Sequence, residues 1–195
     1  MINIQRYLSE SEVLKVIEKY NVHNIVVHEK KVASNAVVLF DSIKQNYELS
    51  AVDREFLKYS ALLHDIGYFI HKENHHEHTK YIILKEPSLD KLPNEIRFIL
   101  AAVAGSHGKS IDESIGFYSD KLKLRLLKLI ALLRIADALD HTHNLNVSLI
   151  GIKVGNEALR IKIVGQGSEH ILKKLKKKSN LFSKVYRIPV LVECF

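Results

Sequence analysis

The stretch Leu129-Ile130-Ala131-Leu132-Leu133-Arg134-Ile135-Ala136-Asp137-Ala138-Leu139 limits this chain more than any other. Its apolar residues fall on every side of a helix rather than along one stripe, so it belongs inside a helical core. Burying a carboxylate without a partner is expensive, so Asp137 needs a cation there. Two are open to it: Arg134, three residues earlier on the same face, or a metal ion. On this segment alone the ion pair is the simpler reading.

A second stretch, Leu62-Leu63-His64-Asp65-Ile66-Gly67, sets two metal-ligand residue types side by side behind an apolar run. The spacing places the pair at the end of a buried helix, at the floor of a pocket, with Gly67 expected to make the left-handed turn that ends it. The dipeptide alone is weak evidence. With 11 His and 8 Asp in the chain, roughly half an occurrence is expected by chance.

The surrounding periodicity is helical as far as about residue 140. Ser9 and Glu12 read as a capping pair for a helix ending near Tyr20. A second helix is predicted from about Val27 to Tyr47, with His28 in its first turn. Ser50 caps a third, which delivers His64 and Asp65. A polar connection with His71, His75, His76 and His78 leads to a short helix over Thr79–Leu84. Pro93 stands at the first turn of another, running toward His107. Asp120 caps the long apolar helix.

After Leu145 the period falls to two. Val147–Val154 and Leu159–Ile163 read as strands joined by a turn at Gly155-Asn156, Ser168 begins a basic helix, and Tyr186–Val192 reads as a last strand. The predicted fold is mainly α, a helical bundle over residues 1–144. A small basic β-β-α-β appendage over 145–195 packs on it, giving an α+β protein overall.

At 195 residues the chain is long enough for one substantial domain with such an appendage. No apolar run reaches the roughly 18 residues a membrane span needs. The first twenty residues lack the order of a signal peptide, so a cytoplasmic protein is expected. The single Cys194 excludes an internal disulfide and a cysteine zinc site. Charge is unevenly placed. Residues 1–140 balance 19 basic against 19 acidic side chains, while 141–195 carry 10 against 3 and hold the whole net +7. The run Lys173, Lys174, Lys176, Lys177 and Lys178 would spread round a helix, which favours a solvated face over a polyanion contact. No nucleic-acid-binding motif accompanies it, so specific nucleic-acid reading is excluded.

Taken together, His28, His64-Asp65 and Asp137 follow the H…HD…D order, and in this the chain resembles the HD metal-dependent phosphohydrolase superfamily. More narrowly, HEKKVASNAVVLFD, ALLHDIGYFIHKENHHEHTKYIIL, SHGK and LIALLRIADALDHTH resemble the C-terminal HD domain of the exopolyphosphatase and guanosine pentaphosphate phosphatase family. The resemblance implies a first divalent ion (Mn, Fe, Co, Ni, Zn or Mg) on His28, His64, Asp65 and Asp137. It also implies a second ion on His75 and His107, with Asp65 bridging the two; His76 and His78 match the same histidine run and stay open beside His75. Asp65, Lys109 and Arg134 become the candidate catalytic residues, the last two as contacts to a substrate phosphate, although Arg134 could instead be a structural partner of Asp137 or Asp140.

The implied activity is metal-dependent hydrolysis of a phosphate ester or anhydride, such as a nucleotide, phosphomonoester or phosphodiester. The alternative is a non-catalytic metal-bearing module that binds nucleotide or polyphosphate. A phosphate-containing small molecule, polyphosphate included, is the expected partner; no membrane is expected, and a homodimer is left open. Long members of the family carry an actin-like ATPase fold ahead of this domain, to which their phosphoanhydride hydrolysis is assigned. This chain is expected to be free-standing, so that activity does not carry over to it.

Overall fold

The computed structural model describes residues 3–141 and 147–195. Among the described residues, six α-helices precede the sheet. Helix α1 (Glu10–Lys19) starts on a complete capping box between Ser9 and Glu12. Helix α2 (Ile25–Ile43) begins earlier than the apolar period suggests, after His23 and Asn24 turn the chain with positive φ. It ends at Ile43, and one 3-10 turn over Lys44–Asn46 takes up residues expected to be helical. Helix α3 (Ala51–Leu63) opens on a second capping box, Ser50 with Asp53. Helices α4 (His75–Lys85) and α5 (Asn94–Gly105) follow, with Pro93 at the N-cap of α5 rather than inside its first turn. In α6 (Asp120–Leu139) Ser119 holds the cap position and Asp120 is the first helical residue.

Helix α6 is the centre of the molecule. Every residue from Leu129 to Leu139 is buried, Arg134 and Asp137 included. It touches α2, α3 and α5, which accounts for its apolar residues on all sides.

The C-terminal part forms a three-stranded sheet in the order β1 (Val147–Val154), β2 (Leu159–Gly165), β3 (Val190–Cys194). Strands β1 and β2 pair antiparallel around the expected turn, where Gly155 donates to the Ala158 carbonyl, and the register shifts between Leu149 and Gly151. Strand β3 pairs parallel to β2, a geometry that requires a crossover. Two helices supply it, α7 (Ser168–Lys178) and α8 (Asn180–Tyr186), where the sequence reading expected one. The segment from Tyr186 therefore divides differently. Leu181, Phe182 and Tyr186 are buried at helical spacing, and the Tyr186 hydroxyl donates to the Lys128 carbonyl of α6. Arg187 then turns left-handed at φ 61° before β3 begins. Both α7 and α8 rest on α6.

The boundary expected at 144–145, and His143 at the end of the matching stretch, lie outside the described residues. Among the described residues no helix is long and apolar enough to cross a membrane.

Candidate metal centre

Helix ends bring the centre together. His28 lies in the first turn of α2, His64 and Asp65 directly follow α3, and His75 opens α4. His107 follows α5 by two residues, and Asp137 lies in the last turn of α6. Asp65 stands in the middle. Its Oδ2 is 3.5 Å from His28 Nε2 and 3.4 Å from His64 Nε2. Its Oδ1 is 3.4 Å from His75 Nε2 and 3.2 Å from His107 Nε2. Each carboxylate oxygen thus faces two imidazoles. Asp137 Oδ1 lies 3.8 Å from His28 Nε2, on the Oδ2 side.

The outer nitrogens of these rings are all engaged. Nδ1 of His64 donates to the Ala61 carbonyl at 2.8 Å, that of His107 to Ala104 at 2.7 Å, and that of His75 to Lys72 at 3.0 Å. A carbonyl only accepts, so Nδ1 carries a proton in each ring and Nε2 is the nitrogen turned inward, the one a neutral ring offers to a cation. Nδ1 of His28 meets Asp140 Oδ2 at 2.8 Å, the carboxylate partner that orients a ligating imidazole. Asp140, weighed in the sequence only as a partner for Arg134, takes this role instead.

Four imidazole Nε2 atoms therefore converge on a carboxylate in a buried space. His64 Nε2 and Asp65 Oδ1 are buried with no hydrogen bond among the described residues. His75 and His107 bring their Nε2 atoms to 2.9 Å of one another. Such an arrangement fits a cation. Two donor groups have suitable spacing, His28-His64-Asp65 and Asp65-His75-His107, each with its donor atoms within 4.8 Å of one another. Burial pushes the His64 imidazole well below its usual range and lowers His75, keeping both in the neutral form that ligates.

Of the four clustered histidines, the structure brings His75 to Asp65. His71 is exposed and accepts from the Glu73 amide, while His76 lies 3.6 Å from Glu77. Gly67 makes the placement of His75 achievable, for a reason other than the one expected. It has no positive φ; instead, a Cβ there would stand 1.9 Å from the His75 carbonyl oxygen and 2.4 Å from the Thr79 amide. Without a side chain, α4 presses directly on the turn after α3. The Thr79 hydroxyl clamps the two, accepting from the Gly67 amide at 3.0 Å and donating to the His64 carbonyl at 2.8 Å.

Above the centre lies a cavity of about 580 Å³, lined by Asp65, His75, His107, Lys109, Arg134 and Asp137 from the helical part. Arg134 does not pair with Asp137. Its Nε donates to the Ser106 carbonyl at 2.8 Å and its Nη2 to the Ser110 carbonyl at 2.6 Å, bracing the loop that carries His107 and Lys109. Burial lowers this guanidinium to about 10. The cation at Asp137 is the Lys178 ammonium, contributed by α7, and burial pushes it down to about 8. Lys174, Lys177 and Lys184 complete a basic wall. Reading the lysine run as a solvated face therefore missed part of the site. Lys174, Lys177 and Lys178 sit at i, i+3 and i+4, one face of a helix, and that spacing was the available signal.

The sequence profile of the family described as Ppx/GppA phosphatase, domain III, matches residues 9–178, most of the chain. No match was found among curated proteins. The chain belongs to the Ppx/GppA phosphatase domain III family.

Proposed function

We propose that this member of the Ppx/GppA domain III family is a metal-dependent phosphohydrolase, cleaving a phosphate ester or anhydride of a small molecule. The observation that carries the reading is the central carboxylate of Asp65, with two imidazole Nε2 atoms on each of its oxygens. In this reading His28, His64, Asp65 and Asp137 would hold one divalent ion, and Asp65, His75 and His107 a second. Nitrogen and carboxylate ligands of this kind suit Mn, Fe, Co, Ni or Zn, with Mg a weaker fit. Divalent ions so held lower the pKa of water and polarise a phosphoryl oxygen.

The chain's own residues do the rest. Asp140 fixes the ring of His28, and three backbone carbonyls fix His64, His75 and His107. Arg134 holds the 106–110 loop in place and so positions both His107 and Lys109. Lys109 and Lys178, which line the cavity, offer charge to the phosphoryl oxygens as negative charge shifts during transfer. The exposed thiol of Cys194 suits a cytoplasmic setting. A non-catalytic metal-bearing module is the competing reading.

The test is turnover of a panel of phosphomonoesters, phosphodiesters and nucleotides with Mn or Ni added, alongside the metal content of the purified protein. Release of phosphate by the native chain, and none by Asp65→Asn, is the expected result. A metal-loaded protein that cleaves nothing on the panel, and binds nucleotide as well after Asp65→Asn as before, would overturn the hydrolase reading.

A further inference from the structure

We propose that Tyr68 is a positioning residue for His75: the face of its ring, not its hydroxyl, holds that imidazole against Asp65 and His107 and so governs retention of the second ion. The proposal deepens the two-ion reading and rests on it only for the ion; the ring contact is tested separately.

The imidazoles that face Asp65 are not held equally well. The side chains of His28, His64 and His107 are 2%, 0% and 3% exposed. His28 is backed by the buried Asp140 carboxylate, and the other two are tied to carbonyls of the helices they follow. His75 is the exception. Its side chain is 23% exposed, and it opens α4 behind Asn74, which turns left-handed at φ 56° and gives no side-chain cap. The carbonyl that accepts from its Nδ1 belongs to Lys72, in the exposed stretch 71–74 rather than in a helix. One hydrogen bond at the edge of a ring leaves the ring able to tilt about that bond. Holding it steady requires contact with its face.

Tyr68 supplies that contact. Its ring centroid lies 4.3 Å from that of the imidazole, with the planes 30° apart, close to the offset stacking that aromatic pairs favour. His76 meets His75 edge-on at 5.9 Å, and His107, at 5.0 Å, is itself a candidate ligand. Tyr68 is also well fixed. It belongs to the 3-10 turn Ile66–Phe69, whose N-cap is Asp65, and its amide donates to the Asp65 carbonyl at 3.0 Å. One turn thus presents both the central carboxylate and the surface on which His75 rests. A ligand set tolerates displacements of only about 0.5 Å, so tilting the one loosely held ring is enough to weaken its side of the centre and spare the other.

The experiment compares the full chain with Tyr68→Phe and Tyr68→Leu. Titrated with Mn after chelator treatment, the native chain should bind two ions. Tyr68→Leu should hold one of them about tenfold more weakly, as loss of an orienting partner does, and Tyr68→Phe should stay within about twofold of native. The ring contact is read by NMR in the metal-free chain. The His75 ring protons, identified by their loss in His75→Gln, should be shifted upfield by the Tyr68 ring, keep that shift in Tyr68→Phe and lose it in Tyr68→Leu. Unchanged affinities in Tyr68→Leu, or an equal loss in Tyr68→Phe, would overturn the proposal. So would a fall in both affinities together with the unfolding midpoint, which marks a residue that only supports the fold. A native chain that binds fewer than two ions, with the His75 shift responding as expected, would sink the two-ion reading and keep Tyr68 as the support of His75. Two ions without any such shift would do the reverse.

Discussion

In the helical part of the molecule Lys19 meets Glu86 at 2.7 Å, Arg125 meets Asp53 at 2.9 Å and Lys80 meets Asp112 at 2.5 Å. Each pair joins segments far apart in the chain. On α7 the arrangement differs: Lys174 and Lys177 have no such partner among the described residues and look into a cavity with Lys109. Both regions are rich in charge, yet the charge does different work. Paired cations close the balance of the helical part and hold its elements in register. Converging cations without carboxylates leave a field that a ligand can neutralise. Counting lysines would not separate the two cases; asking what each ammonium faces does.

Substitutions can break this contrast, beginning with the largest effect. Gly67→Ala forces a methyl into the His75 carbonyl, where backbone cannot give way cheaply, so a loss of about 3 kcal/mol is expected by urea denaturation. A native midpoint in that variant would show that α4 and the turn after α3 are less tightly pressed than described. Next in size are effects on the centre. Asp140→Asn removes the charge behind His28 and should weaken metal binding by about 10- to 100-fold, read as metal retained after dialysis. Unchanged retention would mean that His28 needs no orienting partner.

The paired region should also show in acid. Burial raises the Glu86 carboxyl, but hydrogen bonds from Lys19, Tyr20 and Ser88 outweigh it and bring it to about 2, against an ordinary 4.5. The folded value lies below the unfolded one, so its stabilisation is complete above pH 4.5 and is lost as pH falls toward 2. The native protein should therefore lose more stability between about pH 6 and pH 3 than Glu86→Gln does. Parallel curves would deny the pair that role. The smallest effect belongs to the cavity wall: Lys177→Ala should change stability by less than about 0.5 kcal/mol. A larger drop would mean that this lysine is structural after all.

The helical frame and the candidate ligands were open to sequence reading because each carries a local signature. Ser9 with Glu12 and Ser50 with Asp53 are capping boxes within four residues, and both form. His28, His64, Asp65, His75, His107 and Asp137 are residue types that bind metals, and the family resemblance supplied their grouping. What escaped depends on tertiary geometry. Lys178 becomes a partner of Asp137 only because α7 docks on α6, which no spacing within α7 reveals. Gly67 looked like a turn residue because sequence does not distinguish a glycine needed for φ from one needed for close approach. Helix α8 was hidden by overlapping periods, since Phe182 and Tyr186 run straight into Ile188, Val190 and Val192.

The hydrogen bonds from His64 and His107 to carbonyls three residues earlier have a consequence for how the centre fills. Ala61 and Ala104 lie in the last turns of α3 and α5, so each ring is tied back to the end of its own helix. Ring orientation is thereby set when the helices form, before any ion arrives. An ion held there would meet rings already in place, a mould rather than a clasp, and removing it should leave the rings standing.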